Sequence, residues 1–485
     1  MKAYTPEISW HNRLPTLAID IAPPNPDVPK DANCYKVATG GNDCRVYIWT
    51  VDPETLDIRI KAGLRRHQKS IGAVRFSVQH VLATGDDDGY IYLWKQKFDD
   101  ENQQSRNGNK PQEQETFNAF LNDDGFEDVE TWQHLRVLRG HIEDVCDLTW
   151  SSDGKFLLSG SVDNSAILWD TTKGTKVWCS DLIKGYVQGV AIDPHGEYMI
   201  ALSSDRTLRT YNFNDRRLLY ASRRMNIKNN YKAFFCDDTL QTFCRRLEFS
   251  PDGQFLLAPS SRMVERDRPP KSQDQQNDQG QGDCDTDVVQ KATLPPPKPF
   301  NVMLVFKRGS FNKPHLYYLT GKETALCVRF CPVVYTLKNS ETNFWKLPYR
   351  FIFAVVTTRS ILIYDTQQTA PIGYISQTHL ARLTDLSWSH DGRLLMVSSY
   401  DGYTTLVVFE PNELGETYTE PLINPVVERE KEKEREREIQ EQLAEQLKEQ
   451  QRLEREAKQQ KQQEPPEPKR LPEALTIRRF LIKRS

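Results

Sequence analysis

Cysteine and histidine are residue types that can bind a metal or carry nucleophilic chemistry, and the 485-residue chain contains nine of each. The cysteines lie at positions 34, 44, 146, 179, 236, 244, 284, 327 and 331. Their number is odd and no two have zinc-finger spacing, so neither a disulfide framework nor a structural zinc is expected. We interpret them as buried free thiols in a reducing compartment.

Sequence motifs for catalysis are also missing. The chain contains no Gly-rich phosphate loop, no His-Glu-x-x-His and no Cys-x-x-Cys. Its histidines form no ligand cluster, and several, such as His67 and His141, lie at repeated positions. The sequence therefore predicts no enzyme, no metal or cofactor site and no small-molecule substrate.

Composition limits the remaining classes of function. The chain has 64 Lys and Arg against 67 Asp and Glu, a net charge of −3 that argues against a uniformly basic nucleic-acid binder. Its hydrophobic fraction of 38% is low and indicates that part of the chain is not packed. No apolar run is long enough to span a membrane, and residues 1–12 contain no secretory signal. We therefore expect a soluble intracellular protein with no membrane partner.

The elements that position these residues come from a repeat, best seen between Leu138 and Gly174. This stretch opens with Gly140-His141, and alternating strands follow, separated by turns at Asp153-Gly154 and Asp163. The last of these strands ends in Trp169-Asp170. Alternation with a period of two, bounded by Asp-Gly turns, predicts short antiparallel strands joined by hairpins. The stretch resembles the WD repeat, one four-stranded blade of a β-propeller.

The same pattern recurs along the chain. An Asp precedes an aromatic residue by six positions in Asp43–Trp49, Asp88–Trp94, Asp163–Trp169 and Asp205–Tyr211. With weaker copies, third strands are placed near residues 49, 94, 169, 211, 306, 364 and 407. The prediction is an all-β, seven-bladed WD-repeat β-propeller over residues 1–412. To close the ring, Glu7–Trp10 is expected to pair as the outer strand of the last blade, beside Tyr403–Phe409.

The WD-repeat resemblance implies a hydrogen-bond network within each blade. In the family, a turn Asp accepts from a His, which reaches a strand hydroxyl and then the indole of a Trp, so that buried polar groups are paired. His141, Ser159, Asp163 and Trp169 can form the complete set. The equivalent residues in other blades are Asp43, Trp49, Asp88, Trp94 and Asp205. The resemblance implies a structural role for these residues.

Two spacings between blades exceed the roughly 40–45 residues that one blade needs, which indicates loop insertions. Residues 97–130 hold ten acidic and three basic side chains, and residues 262–299 are of low complexity. Both insertions are expected to be disordered. The acidic insertion is either a solvated loop or a contact for a basic protein such as a histone.

The chain changes character after the propeller. Residues 413–427 are expected to be a linker, and residues 428–463 alternate Glu with Lys or Arg, which predicts a charged helix. Its apolar stripe covers only two turns, so the helix is either solvated or binds a partner. Residues 464–485 form a Pro-containing basic tail. Within it, Leu475–Ile482 has the pattern of a short linear motif or of a nuclear import signal.

Several stretches of the sequence have residues that the WD-repeat scaffold alone does not require. They are similar to the WD-repeat middle subunits of the histone chaperone chromatin assembly factor 1, with the related histone-regulation WD family as the nearest rival. The matching stretches are Met1–Asn12, Leu138–Val145, Ser161–Asn164, Tyr186–Val190, Phe243–Leu247, Leu347–Arg350, Tyr364–Gln368 and Asp401–Tyr403.

This resemblance implies a nuclear, non-catalytic scaffold that helps to deposit histones three and four on newly replicated or repaired DNA. The implied partners are the large and small subunits of the complex and the two histones, with DNA contacted only indirectly. A generic WD adaptor, such as a ubiquitin-ligase substrate receptor, is the alternative.

The family also receives histones from the anti-silencing histone chaperone through a short Arg-Arg motif outside the propeller. The matching residues are Arg478, Arg479, Phe480, Leu481 and Ile482, although Phe480 replaces a β-branched residue of the family motif. The resemblance implies charge pairing by Arg478 and Arg479 and groove filling by Phe480 and Ile482.

Overall fold

The computed structural model describes residues 1–8, 10–25, 34–97, 128–181, 183–227, 230–236, 242–264, 299–338 and 343–463. These residues form seven four-stranded antiparallel sheets, one separate hairpin and one helix. The sheets are the blades of a propeller, so the predicted seven-bladed fold is confirmed.

The strands are numbered in chain order from β1 (Lys2–Tyr4), which belongs to blade seven. Blade one contains β2 (Thr16–Ile21), β3 (Tyr35–Gly41), β4 (Val46–Val51) and β5 (Ile58–Leu64). Blade two contains β6 (Ile71–Phe76), β7 (Val81–Asp86), β8 (Ile91–Lys97) and β9 (Thr131–Leu138). Blade three contains β10 (Val145–Trp150), β11 (Phe156–Ser161), β12 (Ala166–Asp170) and β13 (Thr175–Cys179). Blade four contains β14 (Val187–Ile192), β15 (Tyr198–Ser203), β16 (Thr207–Asn212) and β17 (Leu218–Ser222).

A short hairpin of β18 (Met225–Ile227) and β19 (Asn230–Lys232) precedes blade five. Blade five contains β20 (Glu248–Phe249), β21 (Phe255–Val264), β22 (Pro299–Lys307) and β23 (Pro314–Gly321). Blade six contains β24 (Ala325–Thr336), β25 (Tyr349–Thr357), β26 (Ser360–Asp365) and β27 (Gly373–Ser376). Blade seven contains β28 (Leu383–Trp388), β29 (Leu394–Ser399), β30 (Thr404–Val408) and β1.

The first strands of the blades line the central axis, because the first strands of neighbouring blades pack on one another around the ring. Blades one to six then run outward in chain order, while in blade seven the outermost strand is β1, beside β30. The second–third turn of each blade and the connection that enters it from the previous blade lie on one face of the ring, which we call the entry face. The first–second and third–fourth turns lie on the opposite face.

The ring is closed by the amino terminus, but not by the segment that the sequence indicated. Strand β1 pairs with β30, with Lys2 opposite Val408 and Tyr4 opposite Leu406. The prediction of Glu7–Trp10 in this place is therefore wrong. The amide of Ile8 donates to the carbonyl of Pro6 and turns the chain, so that Trp10 packs edge-on against Trp49 of blade one.

Each junction between neighbouring blades has its own apolar cluster, and seven clusters fill the seven junctions. Trp169 of blade three, for example, is packed with side chains of blade two. The blades approach closely, since a Cβ on Gly160 would lie 2.6 Å from Cγ1 of Val187 in blade four. Full burial of one Leu or Ile side chain contributes about 1.5–3 kcal/mol, so these junctions hold the ring together.

The segment after the propeller has two parts. The first part of the predicted linker lies on blade six: the amide of Tyr418 donates to the carbonyl of Val334, and Tyr418 packs on the ring of Tyr349. The chain then divides into two compact units, residues 1–423 and 424–485. In the second unit, helix α1 (Pro425–Gln463) begins after Asn424, whose side chain accepts from the amide of Val426.

The predicted insertions lie in two different connections of the propeller. Most of residues 97–130 connects β8 to β9, and most of residues 262–299 connects β21 to β22. Residues 98–127 and 265–298 lie outside the described residues. None of the described helices is long and apolar enough to cross a membrane.

Candidate functional site

Blade three brings together the four side chains that the WD pattern singled out. Nδ1 of His141 lies 2.8 Å from Oδ2 of Asp163, and Nε2 lies 2.7 Å from Oγ of Ser159. The indole N–H of Trp169 donates to the same Oγ over 2.8 Å. Burial alone would raise the pKa of Asp163, but the hydrogen bond and charge of His141 lower it to about 2. The set joins the turns to the strands, and its members His141, Ser159 and Trp169 are buried, so their polar atoms need these partners.

Blade one contains the same arrangement with different residues. Nδ1 of His11 lies 2.8 Å from Oδ1 of Asp43, and Nε2 lies 3.0 Å from Oγ1 of Thr39. The indole N–H of Trp49 donates to Thr39 over 3.3 Å. Sequence reasoning did not single out His11 and Thr39, although His11 directly follows the segment Glu7–Trp10 that was expected to be an outer strand.

In blade two the structure places Asp86, and not the predicted Asp88, in the network. Nδ1 of His67 lies 2.7 Å from Oδ2 of Asp86, while Nε2 contacts the hydroxyl of Thr84, also at 2.7 Å. Trp94 donates to Thr84 over 2.9 Å. Asp88 is exposed, and its backbone amide donates to Asp86. Three consecutive Asp residues share this turn, so the six-residue spacing to Trp94 selected the wrong one.

Blade seven has a network without a Trp. His379 lies 3.1 Å from both carboxylate oxygens of Asp401, and its Nε2 lies 2.7 Å from Oγ1 of Thr405. Thr405 in turn shares a 2.7 Å hydrogen bond with Thr5, next to the closing strand β1. The hydroxyl therefore comes from the third strand, and its second partner comes from the amino terminus.

Blade four replaces the His with an Arg. Asp205 accepts from Nη2 of Arg209 over 2.6 Å and from the hydroxyl of Ser203 over 2.5 Å. The aromatic residue in the Trp position is Tyr211, and its hydroxyl is buried with no hydrogen-bond partner among the described residues. Ala201 occupies the place that Ser159 has in blade three, so this blade lacks the strand hydroxyl that would pair with Tyr211.

A second polar cluster, which we call the axial cluster, lies where the first strands meet. It consists of Arg75 on β6, Asp147 on β10, Arg246 next to β20 and Asp385 on β28. Nη1 of Arg75 donates to Oδ2 of Asp385 over 2.8 Å. Arg246 lies 3.3 Å from Oδ1 of Asp147 and 3.4 Å from Oδ1 of Asp385. All four are buried, so charges from four blades neutralise one another at the axis.

The axial cluster is tied to the backbone as well as internally. Nη2 of Arg246 donates to the carbonyl of Gly72 over 2.7 Å, and the amide of Ile19 donates to Asp385 over 3.2 Å. Burial would raise the pKa of Asp385, but the charges of Arg246 and Arg75 hold it well below its usual range. Removing one member would leave a buried charge without its partner, which makes the cluster a determinant of how the blades meet.

Sequence reasoning missed the axial cluster, although the chain contains a signal for it. Asp147 and Asp385 stand at the same place in two first strands, Val145–Trp150 and Leu383–Trp388. A charged residue in the middle of an otherwise apolar strand is uncommon unless it is paired. The pattern does not reveal the partners, because they lie in other blades.

The other predicted residues divide into two groups. Arg478, Arg479, Phe480, Leu481 and Ile482 lie outside the described residues, as does Cys284. Free thiols are found at Cys34, Cys44, Cys146, Cys179, Cys244, Cys327 and Cys331, and of these only Cys146, Cys327 and Cys331 are buried, so the expectation of buried thiols holds for part of the set. Within the described part of the chain, no group of three or more His, Cys, Asp or Glu side chains is placed to hold a metal ion.

The ring, its His–Asp networks and its buried axial charges define a WD-repeat β-propeller. The family profile described as the CAF1B/HIR1 beta-propeller domain matches residues 1–276 and 287–414. The chain belongs to this family.

Named relatives fall into two groups. The chain is 36% identical to a subunit of chromatin assembly factor 1 from Gallus gallus over 436 residues, covering 86% of this chain and 69% of the relative. It is 29% identical to the subunit of the same name from Saccharomyces cerevisiae, covering 87% and 88%. Protein HIR1 of Kluyveromyces lactis is 25% identical and is matched over 80% of this chain but only 41% of its own length.

Proposed function

We propose that this chain is the WD-repeat subunit of a chromatin assembly factor, acting as a non-catalytic scaffold in the nucleus. Its role is to help deposit histone three–four dimers on newly replicated or repaired DNA. The observation that carries this proposal is the 36% identity to the chromatin assembly factor 1 subunit of Gallus gallus over 86% of the chain. The family profile supports the same reading, because its match to residues 1–276 and 287–414 includes all seven blades and not a single repeat.

The polar groups described above support a scaffold role. The side chains of the His–Asp networks and the axial cluster are largely buried, and they hydrogen-bond to one another and to the backbone of the ring. A ring fixed in this way presents its exposed loops in a constant geometry, which favours the assembly of several partners. Partners held on one ring meet at a raised effective concentration, without a chemical step. The proposed partners are the large and small subunits and histones three and four.

The basic tail is proposed to bind the anti-silencing histone chaperone. Residues 469–485 contain six Lys and Arg and one Glu, and Arg478-Arg479 is followed by three apolar residues. Arginine forms bidentate hydrogen bonds with carboxylates, and the apolar residues after it suit a shallow groove. Co-precipitation with that chaperone should fall sharply in the variant Arg478→Ala/Arg479→Ala. The matched control is Lys483→Ala/Arg484→Ala, which removes equal charge outside the Arg pair. Equal losses in the two variants would contradict a role specific to the pair.

A role like that of protein HIR1 is the second candidate, because both groups share the family profile. Identity is lower for this candidate, 25%, and the chain matches only 41% of that relative's length. These figures favour the chromatin assembly factor role. No feature of the described residues favours a ubiquitin-ligase receptor.

Affinity purification of the full chain from nuclear extract, followed by mass spectrometry, separates these functions. The proposal expects the large and small chromatin assembly factor subunits and histones three and four. Recovery of HIR-complex subunits without the large subunit would support the second candidate. Recovery of a cullin adaptor in place of histones would overturn both.

A further inference from the structure

The segment 242–246, which we call the axial plug, enters the mouth of the axis from the entry face. The backbone amides of its two arginines donate to carbonyls of blades four and six. Gly189 of blade four permits this path, because a Cβ there would overlap the carbonyl oxygen of Arg245. The axial plug therefore crosses blade four and brings its side chains against blades that are distant in the sequence.

Two thiols meet where the axial plug reaches blade three. Sγ of Cys244 donates to the backbone carbonyl of Cys146, on strand β10, over 3.1 Å. The two thiols also lie within hydrogen-bonding reach of each other. These cysteines are 98 positions apart in the sequence. A disulfide can form only between side chains that approach this closely.

A cavity at the mouth of the axis gives small molecules access to both thiols. Its volume is about 210 Å³, and both cysteines line it. A water molecule occupies about 30 Å³ in the liquid, so the cavity admits small reagents but excludes a protein. The charged residues of the lining are Asp87, Asp144, Arg246 and Arg382, and the guanidinium of Arg382 lies 4.3 Å from the ring centre of Tyr400. Charges of both signs surround the thiols, which suits a small neutral reagent.

Cys244 has the properties of an attacking thiol. The hydrogen bond from Cys146 and the positive charge of Arg246 lower the pKa of the Cys244 thiol, against the effects of burial and of Asp147. The same hydrogen bond and burial raise the pKa of Cys146, which stays protonated. The thiolate is the nucleophile in thiol chemistry, so Cys146 has the properties of the second, resolving thiol.

We propose that Cys146 and Cys244 form a redox-active dithiol, which a hydroperoxide converts to an intramolecular disulfide. The thiolate of Cys244 attacks one oxygen of hydrogen peroxide and breaks the O–O bond. This step leaves a sulfenic acid and a hydroxide, which takes up the proton that Cys244 had lost. The thiol of Cys146 then attacks the sulfenic sulfur, the S–S bond forms, and a second water leaves. Two electrons have passed from the sulfurs to the peroxide, and a small external dithiol returns them.

The disulfide joins blade three to the axial plug and spans blade four. It closes a loop of about 100 residues, and a crosslink across so long a loop restricts the unfolded chain substantially. The oxidised ring should therefore unfold at a higher temperature than the reduced ring. Intracellular compartments keep most thiols reduced, so a disulfide of this kind is typical of a transient response to oxidant. The proposal does not rest on the proposed function, since it uses only the geometry of the axial plug.

The first test exposes the full, reduced chain to a series of hydrogen peroxide concentrations and then blocks the remaining thiols with iodoacetamide. Trypsin and an Asp-specific protease together separate Cys244 from Cys236, so mass spectrometry can identify which residues are linked. We expect a linkage between Cys146 and Cys244 that dithiothreitol removes, with alkylation of Cys179 unchanged at the lowest effective peroxide concentration. Absence of this linkage from the treated chain would overturn the proposal.

Single variants test the order of the two steps. In Cys146→Ser the sulfenic acid on Cys244 has no resolving thiol, so dimedone should label Cys244 about tenfold or more above the level in the unchanged chain. Cys244→Ser should prevent the labelling of Cys146. The matched control is Cys179→Ser, which removes a half-exposed thiol of blade three outside the cavity lining and should leave the linkage intact. Equal labelling of Cys244 in Cys146→Ser and in the unchanged chain would contradict the assigned roles.

Thermal unfolding measures the effect of the disulfide on the ring. Peroxide treatment should raise the melting temperature of the unchanged chain by about 5 °C, and dithiothreitol should reverse the rise. The same treatment of Cys146→Ser should not raise it. A melting temperature that does not rise in chains carrying the linkage would refute the crosslink between blade three and the axial plug as a stabilising device. Failure of these tests would leave the co-purification of chromatin assembly factor subunits unchanged, so the two proposals are separable.

Discussion

The two halves of the ring pair the polar side chains of their entry-face turns with different partners. Blades seven, one, two and three each pair a His with an Asp at the entry face. Among the described residues of blades four, five and six, arginines and other groups take this role. Arg209 pairs with Asp205 in blade four, and Glu323 accepts from the hydroxyl of Thr357 in blade six.

The second half also relies more on aromatic packing. Its junction between blades five and six contains Trp345 and Tyr364, and the ring of Phe353 stacks on Tyr364 with centroids 5.3 Å apart. The backbone geometry of a blade is therefore compatible with more than one polar network, provided that buried groups are paired. Substitutions in each half can test this difference.

The greatest loss of stability is expected in the half without His–Asp pairs. Arg308 of blade five donates to both oxygens of Asp193 in blade four, over 2.6 and 2.5 Å, and both side chains are buried. Arg308→Met leaves the carboxylate buried without its partner, so the free energy of unfolding should fall by about 3–5 kcal/mol. Urea unfolding followed by tryptophan fluorescence measures it. Arg393→Met, which breaks an exposed pair with Glu54, should cost less than about 1 kcal/mol. Equal losses of unfolding free energy in the two variants would contradict a stabilising role for the buried pair.

A smaller loss is expected in the half with His–Asp pairs. Ser159→Ala removes the hydroxyl that joins His141 to Trp169, and leaves two buried ring nitrogens, Nε2 of His141 and Nε1 of Trp169, without their partner. We expect a loss of about 1–3 kcal/mol in unfolding free energy, measured in the same way. Thr369→Ala, in an exposed loop, is the control and should change stability by less than about 0.5 kcal/mol. A loss no larger than that of the control would show that the network is dispensable in blade three.

The third prediction concerns the dependence of stability on pH in acid. His141 holds the pKa of Asp163 at about 2, below the roughly 3.9 of an unfolded Asp, so the native state binds this proton less readily than the unfolded state. Its stabilising contribution is present above about pH 4 and is lost as the pH falls toward 2. The unfolding free energy of Asp163→Asn should therefore depend less steeply on pH in this window.

The matched acid control lies in the second half. Burial raises the pKa of Asp252 in blade five, so its contribution has the opposite sign and native protonation is favoured. Asp252→Asn should not flatten the acid dependence, even if it lowers stability. Flattening of similar size in the two variants would remove the proposed difference between the halves.

The least change is expected at the tyrosine of blade four. The hydroxyl of Tyr211 is buried without a partner among the described residues, so Tyr211→Phe should change stability by less than about 0.5 kcal/mol or should increase it. Tyr364 of blade six is the comparison, because its hydroxyl donates to the carbonyl of Leu319 over 2.7 Å. Tyr364→Phe should cost about 1 kcal/mol in a thermal unfolding series. The reverse order would indicate a partner for Tyr211 that the blade geometry does not contain.

Sequence reasoning was strongest where the structural rule is local. All seven predicted third-strand positions lie on third strands, including the weak copies at Phe306 and Tyr364. The Asp-to-aromatic spacing identified the wrong residue where a turn contains several Asp residues, as with Asp86 and Asp88. Sequence reasoning was also wrong at the ring closure, where Pro6 and the turn after it divert the chain that was expected to be a strand.

Local sequence was enough to predict the number of blades, where each blade lies along the chain and where the charged helix lies. The reason is that turns and alternating strands depend on neighbouring residues. The side chains that meet at the axis could not be predicted in this way. Arg75, Asp147, Arg246 and Asp385 are separated by long stretches of chain, and closure of the ring brings their charges together. A cavity that opens at the mouth of the axis above them has the same origin, since its lining comes from six blades and exists only when the circle is complete.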